Sequence, residues 1–208
     1  MAAKRGITLY HSPNSRAFTA YWMLEELGLA FDIKTVDIRK GEQKSPDYLK
    51  LNPAGKVPTL TDGEVVVSEN PAIAIYLADR YGYGTLAPKI EDRDRGAYLK
   101  WMVFSTAVVD PVATLHARKV DLPGADFGFG TFDDMVRVLV TTLKERKYLL
   151  GSRFTAADVV LGGQIAFLLR KNVLPPEAEL LDYNARLTLR EAYHRAFDAT
   201  WPQIFAPS

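Results

Sequence analysis

The run Ile7-Thr8-Leu9-Tyr10 is short and apolar-rich and ends in the turn-forming cluster His11-Ser12-Pro13-Asn14-Ser15. It predicts a strand feeding a tight loop. From Arg16 a helix is expected: Phe18, Ala20, Tyr21, Trp22, Met23, Leu24 and Leu27 leave hardly a polar side, so this helix should be buried on most faces, with Gly28 as its stop. Phe31–Val36 alternates apolar and polar as a half-buried strand does. Strand, helix and strand in so short a span form a βαβ unit, whose strands pair in parallel.

Residues 39–52 are polar and irregular, with a short helix around Asp47–Lys50. Asn52-Pro53-Ala54-Gly55-Lys56-Val57-Pro58 is a loop leading into a strand that begins at a proline, where a missing N–H is tolerated. Asp62-Gly63 is a hairpin signal, and Glu64–Val67 supplies the return strand. Ser68-Glu69-Asn70-Pro71 then caps and starts a helix. The order β-α-β, loop, β-β-α makes residues 1–80 an α+β domain of thioredoxin type. Glycines and a proline at Tyr81–Pro88 place a linker over 81–91, and residues 92–208 read as all-helical. The expected helices there are Asp92–Lys119, kinked or split by Pro111; Thr131–Leu150; Thr155 to about Lys171, opened by a Thr155/Asp158 capping box; and an amphipathic Leu187–Ala199.

The 208 residues are 48% hydrophobic and 25% charged, an ordinary soluble balance. A net charge of +1 gives no electrostatic reason to expect nucleic acid or an anionic membrane as partner. No apolar run approaches the ~20 residues a membrane span needs. Met1–Arg5 leads into the first strand with no apolar signal segment behind it, so a cytoplasmic location is expected. The absence of cysteine excludes disulfides, thiolate metal sites and Cys-x-x-Cys redox chemistry; any reacting thiol must arrive with a ligand. His11, His116 and His194 lack metal-ligand spacing, and Gly124–Gly130 is no phosphate loop because no Gly-Lys-Ser/Thr follows. The first strand, polar loop and helix start, by contrast, have the geometry that aims hydroxyls and backbone N–H groups at an anion.

Four features in this order resemble the soluble glutathione transferases: Ser12-Pro13-Asn14-Ser15-Arg16, Asn52-Pro53-Ala54-Gly55-Lys56-Val57-Pro58, Ser68-Glu69-Asn70-Pro71-Ala72-Ile73, and the late Thr155/Asp158 pair. The resemblance spans nearly the whole chain. It implies a thioredoxin-like glutathione domain, a helical domain shaping a pocket for a hydrophobic electrophile, a homodimer with an isologous interface, a detoxification role and no metal. Carried over position by position, Lys56 and Val57 resemble the segment holding the glutathione backbone, and Val57-Pro58 the cis-proline turn that pairs with the cysteinyl unit. Glu69 and Asn70 resemble the pair receiving the γ-glutamyl group, with asparagine where the family most often has serine. Gln43 and Lys56 are candidates for the glycyl carboxylate. Tyr98, Trp101, Ser105, Thr106, Val109 and His116 are candidates for lining the electrophile pocket.

Within that family the opening loop would activate a thiol. A free thiol with pKa near ~8.5 is only about 3% thiolate at pH 7, and lowering it by about two units requires roughly 2.7 kcal/mol. One hydrogen bond to a charged acceptor contributes ~1.5–3 kcal/mol, and a helix N-terminus ~0.3–1, so a single hydroxyl suffices. Ser12 matches the hydroxyl of the theta-like and nu-like members and ranks first, with Asn14 resembling a second donor of nu-like members. Tyr10 stands where tyrosine-dependent classes carry their catalytic residue and ranks next, then Ser15. Arg16 replaces the cysteine of cysteine-type members. The reading is thus a serine-type transferase; a glutathione-dependent disulfide or peroxide reductase and a non-catalytic ligand-binding protein are the alternatives.

Overall fold

The computed structural model describes residues 6–120 and 127–201, so the first part of the loop expected at Asp121–Gly130 lies outside the described residues. The chain forms two compact units: one runs to Tyr81 and also takes the stretch from Arg190, the other is Gly82–Leu189.

The first unit is built on a four-stranded mixed sheet in the order β2-β1-β3-β4, with β1 Ile7–His11, β2 Asp32–Thr35, β3 Thr59–Asp62 and β4 Val65–Ser68. β2 runs parallel to β1, as a βαβ crossover requires, and β1/β3 and β3/β4 are antiparallel. Helix α1 (Ala17–Glu26) and helix α3 (Asn70–Tyr81) pack together with the apolar face of the sheet. Ile7, Leu9, Trp22, Met23, Leu24, Leu60, Ile73 and Leu77 are completely buried between them. Alternation along β1 turns Tyr10 to the other face, where it meets Tyr48 of the short helix α2 (Pro46–Leu51) edge-on at 6.1 Å. β2 departs from its expected half-burial: all four residues are exposed, Ile33 by 42%. It is the edge strand of the sheet, paired with β1 alone, while Phe31 just before it packs edge-on against Tyr21 of α1 at 5.0 Å.

The second unit is helical. Asp92–Lys119 is split as its proline demands: α4 (Arg95–Phe104) passes through a π-helical turn at Ser105–Val109 into α5 (Asp110–Ala117), which begins with Pro111 in its first turn. Proline donates no N–H and its ring crowds the carbonyl four residues earlier, so the wider turn absorbs the mismatch. Helix α6 is Phe132–Leu143, shorter than the expected run to Leu150. Tyr148 and Leu149 continue its apolar pattern, but the Leu149 N–H is donated to Asp158 at 2.9 Å and the chain closes a tight turn on Gly151, whose φ is +84°. Helix α7 (Ala156–Arg170) is the unit's centre, with eleven of its fifteen residues buried.

The chain after Pro176 corrects the sequence reading further. An unexpected helix α8 (Ala178–Thr188) buries Leu180, Tyr183 and Leu187, and the last helix is α9, Glu191–Thr200. The break falls at Leu189–Arg190, where Leu189 is 79% exposed and Arg190 is extended. Single apolar residues spread among the charges of 177–189 hide α8 from a pattern reading. Gly162 explains how closely α7 and α8 pack, since a Cβ there would stand 2.2 Å from Leu187 Cδ1. No helix among the described residues is long and apolar enough to cross a membrane.

Asp158 ties these pieces together. Its carboxylate accepts from the N–H groups of Leu149 and Thr155 at 2.9 and 2.8 Å, from the Tyr183 hydroxyl at 2.9 Å and from the Thr155 hydroxyl at 3.2 Å. Burial outweighs these donors and pushes its carboxyl up to about 6. Asp158→Ala strands four buried donors at ~1–3 kcal/mol each, so a loss of at least ~4 kcal/mol is expected in urea unfolding of the full chain. A loss under ~1 kcal/mol would show that the box is not what holds α6, α7 and α8 in place.

Candidate active site

The turn after β1 is fixed by its own residues first. The Ser15 hydroxyl accepts from the Ala17 N–H at 3.2 Å and donates to the Ser12 carbonyl at 2.6 Å, bracing the turn ahead of α1. Asn14 has φ +55°, a left-handed conformation that asparagine tolerates better than most side chains. Its N–H donates to the Thr200 carbonyl of α9 at 2.9 Å. Ser12 is only 5% exposed, and among the described residues its hydroxyl makes no hydrogen bond.

Two distant segments meet this region from the same unit. The Asn70 side-chain amide donates to the Arg16 carbonyl at 2.9 Å, joining the start of α3 to the start of α1. Immediately before it, Glu69 takes φ +69° and stays exposed, while its carbonyl accepts from the Ile73 N–H at 2.9 Å. The Val57-Pro58 bond is cis. The turn before it is anchored from beneath: the Lys56 carbonyl accepts from the Tyr48 hydroxyl at 2.6 Å and from the Asn52 amide at 2.9 Å. Both of those side chains also bond the buried Thr59 hydroxyl, at 2.9 and 3.0 Å. Gly55, at φ +58°, has no room for a Cβ, which would lie 2.8 Å from the Gln43 carbonyl. Gln43 is thereby seated beside the turn, and its amide donates to the Ile38 carbonyl at 3.3 Å.

Three of the candidates share a property. Asn14 Oδ1, Gln43 Oε1 and Asn70 Oδ1 are buried acceptors with no hydrogen-bond partner. A buried polar atom left unpaired costs about 1–3 kcal/mol, so such atoms in a folded protein call for a ligand or another explanation. For Asn70, one amide N–H is used on Arg16, the second N–H remains able to donate, and Oδ1 is open to a ligand N–H.

Tyr10 lies elsewhere. Its hydroxyl accepts from Lys34 Nζ at 3.4 Å, and its ring helps wall an open cleft of about 620 Å³ with Val36, Tyr48 and Leu51 on the α2 face of the sheet. Among the candidate pocket residues of the helical unit, Tyr98, Trp101, Ser105 and Val109 are buried, with Ser105 bonding Gln164 at 3.0 Å. Thr106 and His116 are exposed, His116 stacked on Phe132 at 3.5 Å. The described residues hold no group of three His, Cys, Asp or Glu suited to a metal ion. The sequence reading missed Tyr48 and Thr59, and it gave Asn52 no role. A hydroxyl or amide a few residues from a Val-Pro turn was the available signal.

A mixed sheet in the order β-α-β, β-β-α with a cis-proline before its third strand, followed by helices, defines a thioredoxin-like domain joined to a helical part. Residues 5–79 match the family model of the glutathione S-transferase N-terminal domain. Glutathione S-transferase 3 of Schizosaccharomyces pombe is 40% identical over 174 residues, 73% of this chain and 70% of its own. A theta class glutathione S-transferase of Xanthomonas axonopodis pv. citri, solved with glutathione bound, superposes with a TM-score of 0.77 at 32% identity, covering 92% of this chain and 97% of that one. A glutathione transferase homolog of Lodderomyces elongisporus, solved with two glutathiones per subunit, gives 0.78 at 25% identity over 94% and 99%. The chain belongs to the soluble glutathione S-transferase family.

Burial holds the His11 imidazole below its ordinary 6.5, against a smaller opposing effect of the Ser12 backbone. The ring is 4% exposed and its Nδ1 has no hydrogen-bond partner. A depressed folded value means that the unfolded chain binds the extra proton first, so His11 contributes stability above pH 6.5 that is lost as pH falls through the folded value. Urea midpoints should therefore drop more steeply between pH 7 and pH 5 in the native chain than in His11→Gln. Parallel curves would assign the acid sensitivity to other groups.

Proposed function

We propose that this protein is a glutathione transferase of serine type: it binds glutathione along the Val57-Pro58 turn and the start of α3, and holds its sulfur as thiolate by a hydrogen bond from Ser12. The observation that carries this reading is that Asn14, Gln43 and Asn70, in three separate segments of the first unit, all keep a buried acceptor unpaired. Glutathione supplies what such a set lacks: an ammonium and two amide N–H groups for the acceptors, and carboxylates for N–H donors and Lys56. Glu69, exposed at the mouth of α3, is the partner for the ammonium. Val57 offers its N–H and carbonyl to the cysteinyl unit as an added strand would.

The thiol proton leaves to solvent, the Ser12 hydroxyl donates to the resulting thiolate, and the sulfur forms a bond to the electrophilic carbon as the leaving group departs. Ser12 leads because its hydroxyl has no competing bond among the described residues, whereas the Ser15 hydroxyl is engaged with the Ser12 carbonyl and the Ala17 N–H and Tyr10 faces Lys34. We place the enzyme in the cytoplasm, in detoxification of hydrophobic electrophiles, as a two-fold homodimer. Exposed Leu99 and Val103 on α4 give that dimer apolar surface to cover.

A reductase reading keeps a place because the Lodderomyces elongisporus relative carries two glutathiones per subunit and this chain has no cysteine of its own. In that case one thiolate attacks a disulfide and a second glutathione resolves the mixed disulfide. Ser12→Ala is expected to lower kcat/KM for an aryl halide ~10²-fold, as loss of one charge-assisted bond should, with the Kd for glutathione within about threefold. Equal loss in Ser15→Ala with none in Ser12→Ala would transfer the role to Ser15. Disulfide turnover far above aryl conjugation would favour the reductase.

A further inference from the structure

The last helix is assigned to the helical half by its place in the sequence, yet it packs along α1 in the first unit. Its adhesion is aromatic: Tyr193 meets Phe18 at 5.2 Å and Trp22 at 5.0 Å, and Phe197 lies 6.4 Å from Phe18 and 6.2 Å from Trp201. Arg190 grips Glu26 through two bonds of 2.6 and 2.7 Å, and Arg195 meets Glu25 at 2.6 Å. At its far end Thr200, 1% exposed, folds its hydroxyl back on the Ala196 carbonyl at 2.7 Å, and its own carbonyl receives the Asn14 N–H.

We propose that α9 is a clamp on the Ser12–Ser15 turn and that Thr200 is a positioning residue for the thiol-activating hydroxyl. Asn14 is the one left-handed residue of that turn, and its N–H is fixed from α9 rather than from the loop itself. Seating α9 therefore fixes where Asn14, and with it Ser12 two residues earlier, stands. The inference rests on the thiol-activation reading above for its catalytic half and on geometry alone for its structural half.

The test pairs two readouts on the full chain. In ligand-free protein, amide exchange at Asn14 should be at least ~10-fold faster in Phe197→Ala and in Thr200→Gly, with Leu9 of β1 unchanged, because local opening is governed by the contacts removed. With glutathione and an aryl halide, the acid limb of the kcat/KM profile should rise by about one pH unit in both variants while KM for glutathione changes less than about threefold, and Phe197→Leu should restore both readouts. Asn14 exchange unchanged in both variants overturns the clamp. Faster exchange with an unmoved acid limb overturns its part in activation. A limb that shifts in these variants yet ignores Ser12→Ala supports the clamp and moves the hydroxyl to another residue.

Discussion

A turn that presents a hydroxyl at the start of a helix has backbone groups that neither the strand before it nor the helix after it can satisfy. In this protein two of those groups are satisfied by distant segments. The Arg16 carbonyl takes the Asn70 amide, and the Asn14 N–H finds the Thr200 carbonyl. The remaining architecture of the first unit follows from that requirement. α3 must begin where Asn70 reaches α1, which sets the hairpin Thr59–Ser68 ahead of it, and the Val57-Pro58 turn ahead of that. The site is assembled from segments that the sheet order β2-β1-β3-β4 brings side by side.

Much of this was legible because it depends on residues of unusual conformational demand. Pro58 after valine, Pro71 after a polar cap, Asp62-Gly63 and the Thr155/Asp158 box each restrict the backbone locally, and each stands where the structure uses it. What escaped depends on tertiary partners. β2 keeps its alternating pattern but lies at the edge of the sheet with all four residues exposed, which the pattern could not report. α6 stops short because a carboxylate from α7 captures the Leu149 N–H, an event with no local signature. α8 carries its three buried side chains among charges, and α9 reads as one more helix of the second half although its aromatic face matches α1. At the candidate site, the order of the motifs alone singles out Glu69, Asn70 and Val57, whose roles toward a ligand belong to the proposal. The commitment of Asn70's donor to Arg16 could not, since it is a contact across 54 residues.

The unpaired acceptors give the site its electrostatic sense. Helix N-termini and Lys56 attract anions, whereas Asn14, Gln43 and Asn70 offer lone pairs that no protein group uses. A ligand bearing a single charge type would satisfy one set and leave the other desolvated. On the proposed reading, a zwitterion with amide groups would satisfy both, and the free energy held in each unpaired acceptor, about 1–3 kcal/mol, would be recovered when that ligand is seated.

The α1–α9 seam shows how adhesion and register are divided. Phe18, Trp22, Tyr193 and Phe197 supply area and would tolerate sliding by a fraction of a turn, because edge-on aromatic contacts are broad in geometry. Glu26 does not tolerate it. Its side chain is 6% exposed and is held at once by Arg190 and by the Trp22 indole at 2.8 Å. A buried ion pair adds little net stability, because desolvation offsets most of the attraction, but displacing one partner leaves a buried charge at a cost of about 3–5 kcal/mol. The pair therefore sets the axial position of α9, the aromatic residues hold it there, and the carbonyl of Thr200 arrives at the Asn14 N–H as a consequence. The placement of one backbone acceptor at the site is settled by a carboxylate buried at the opposite end of the same helix pair.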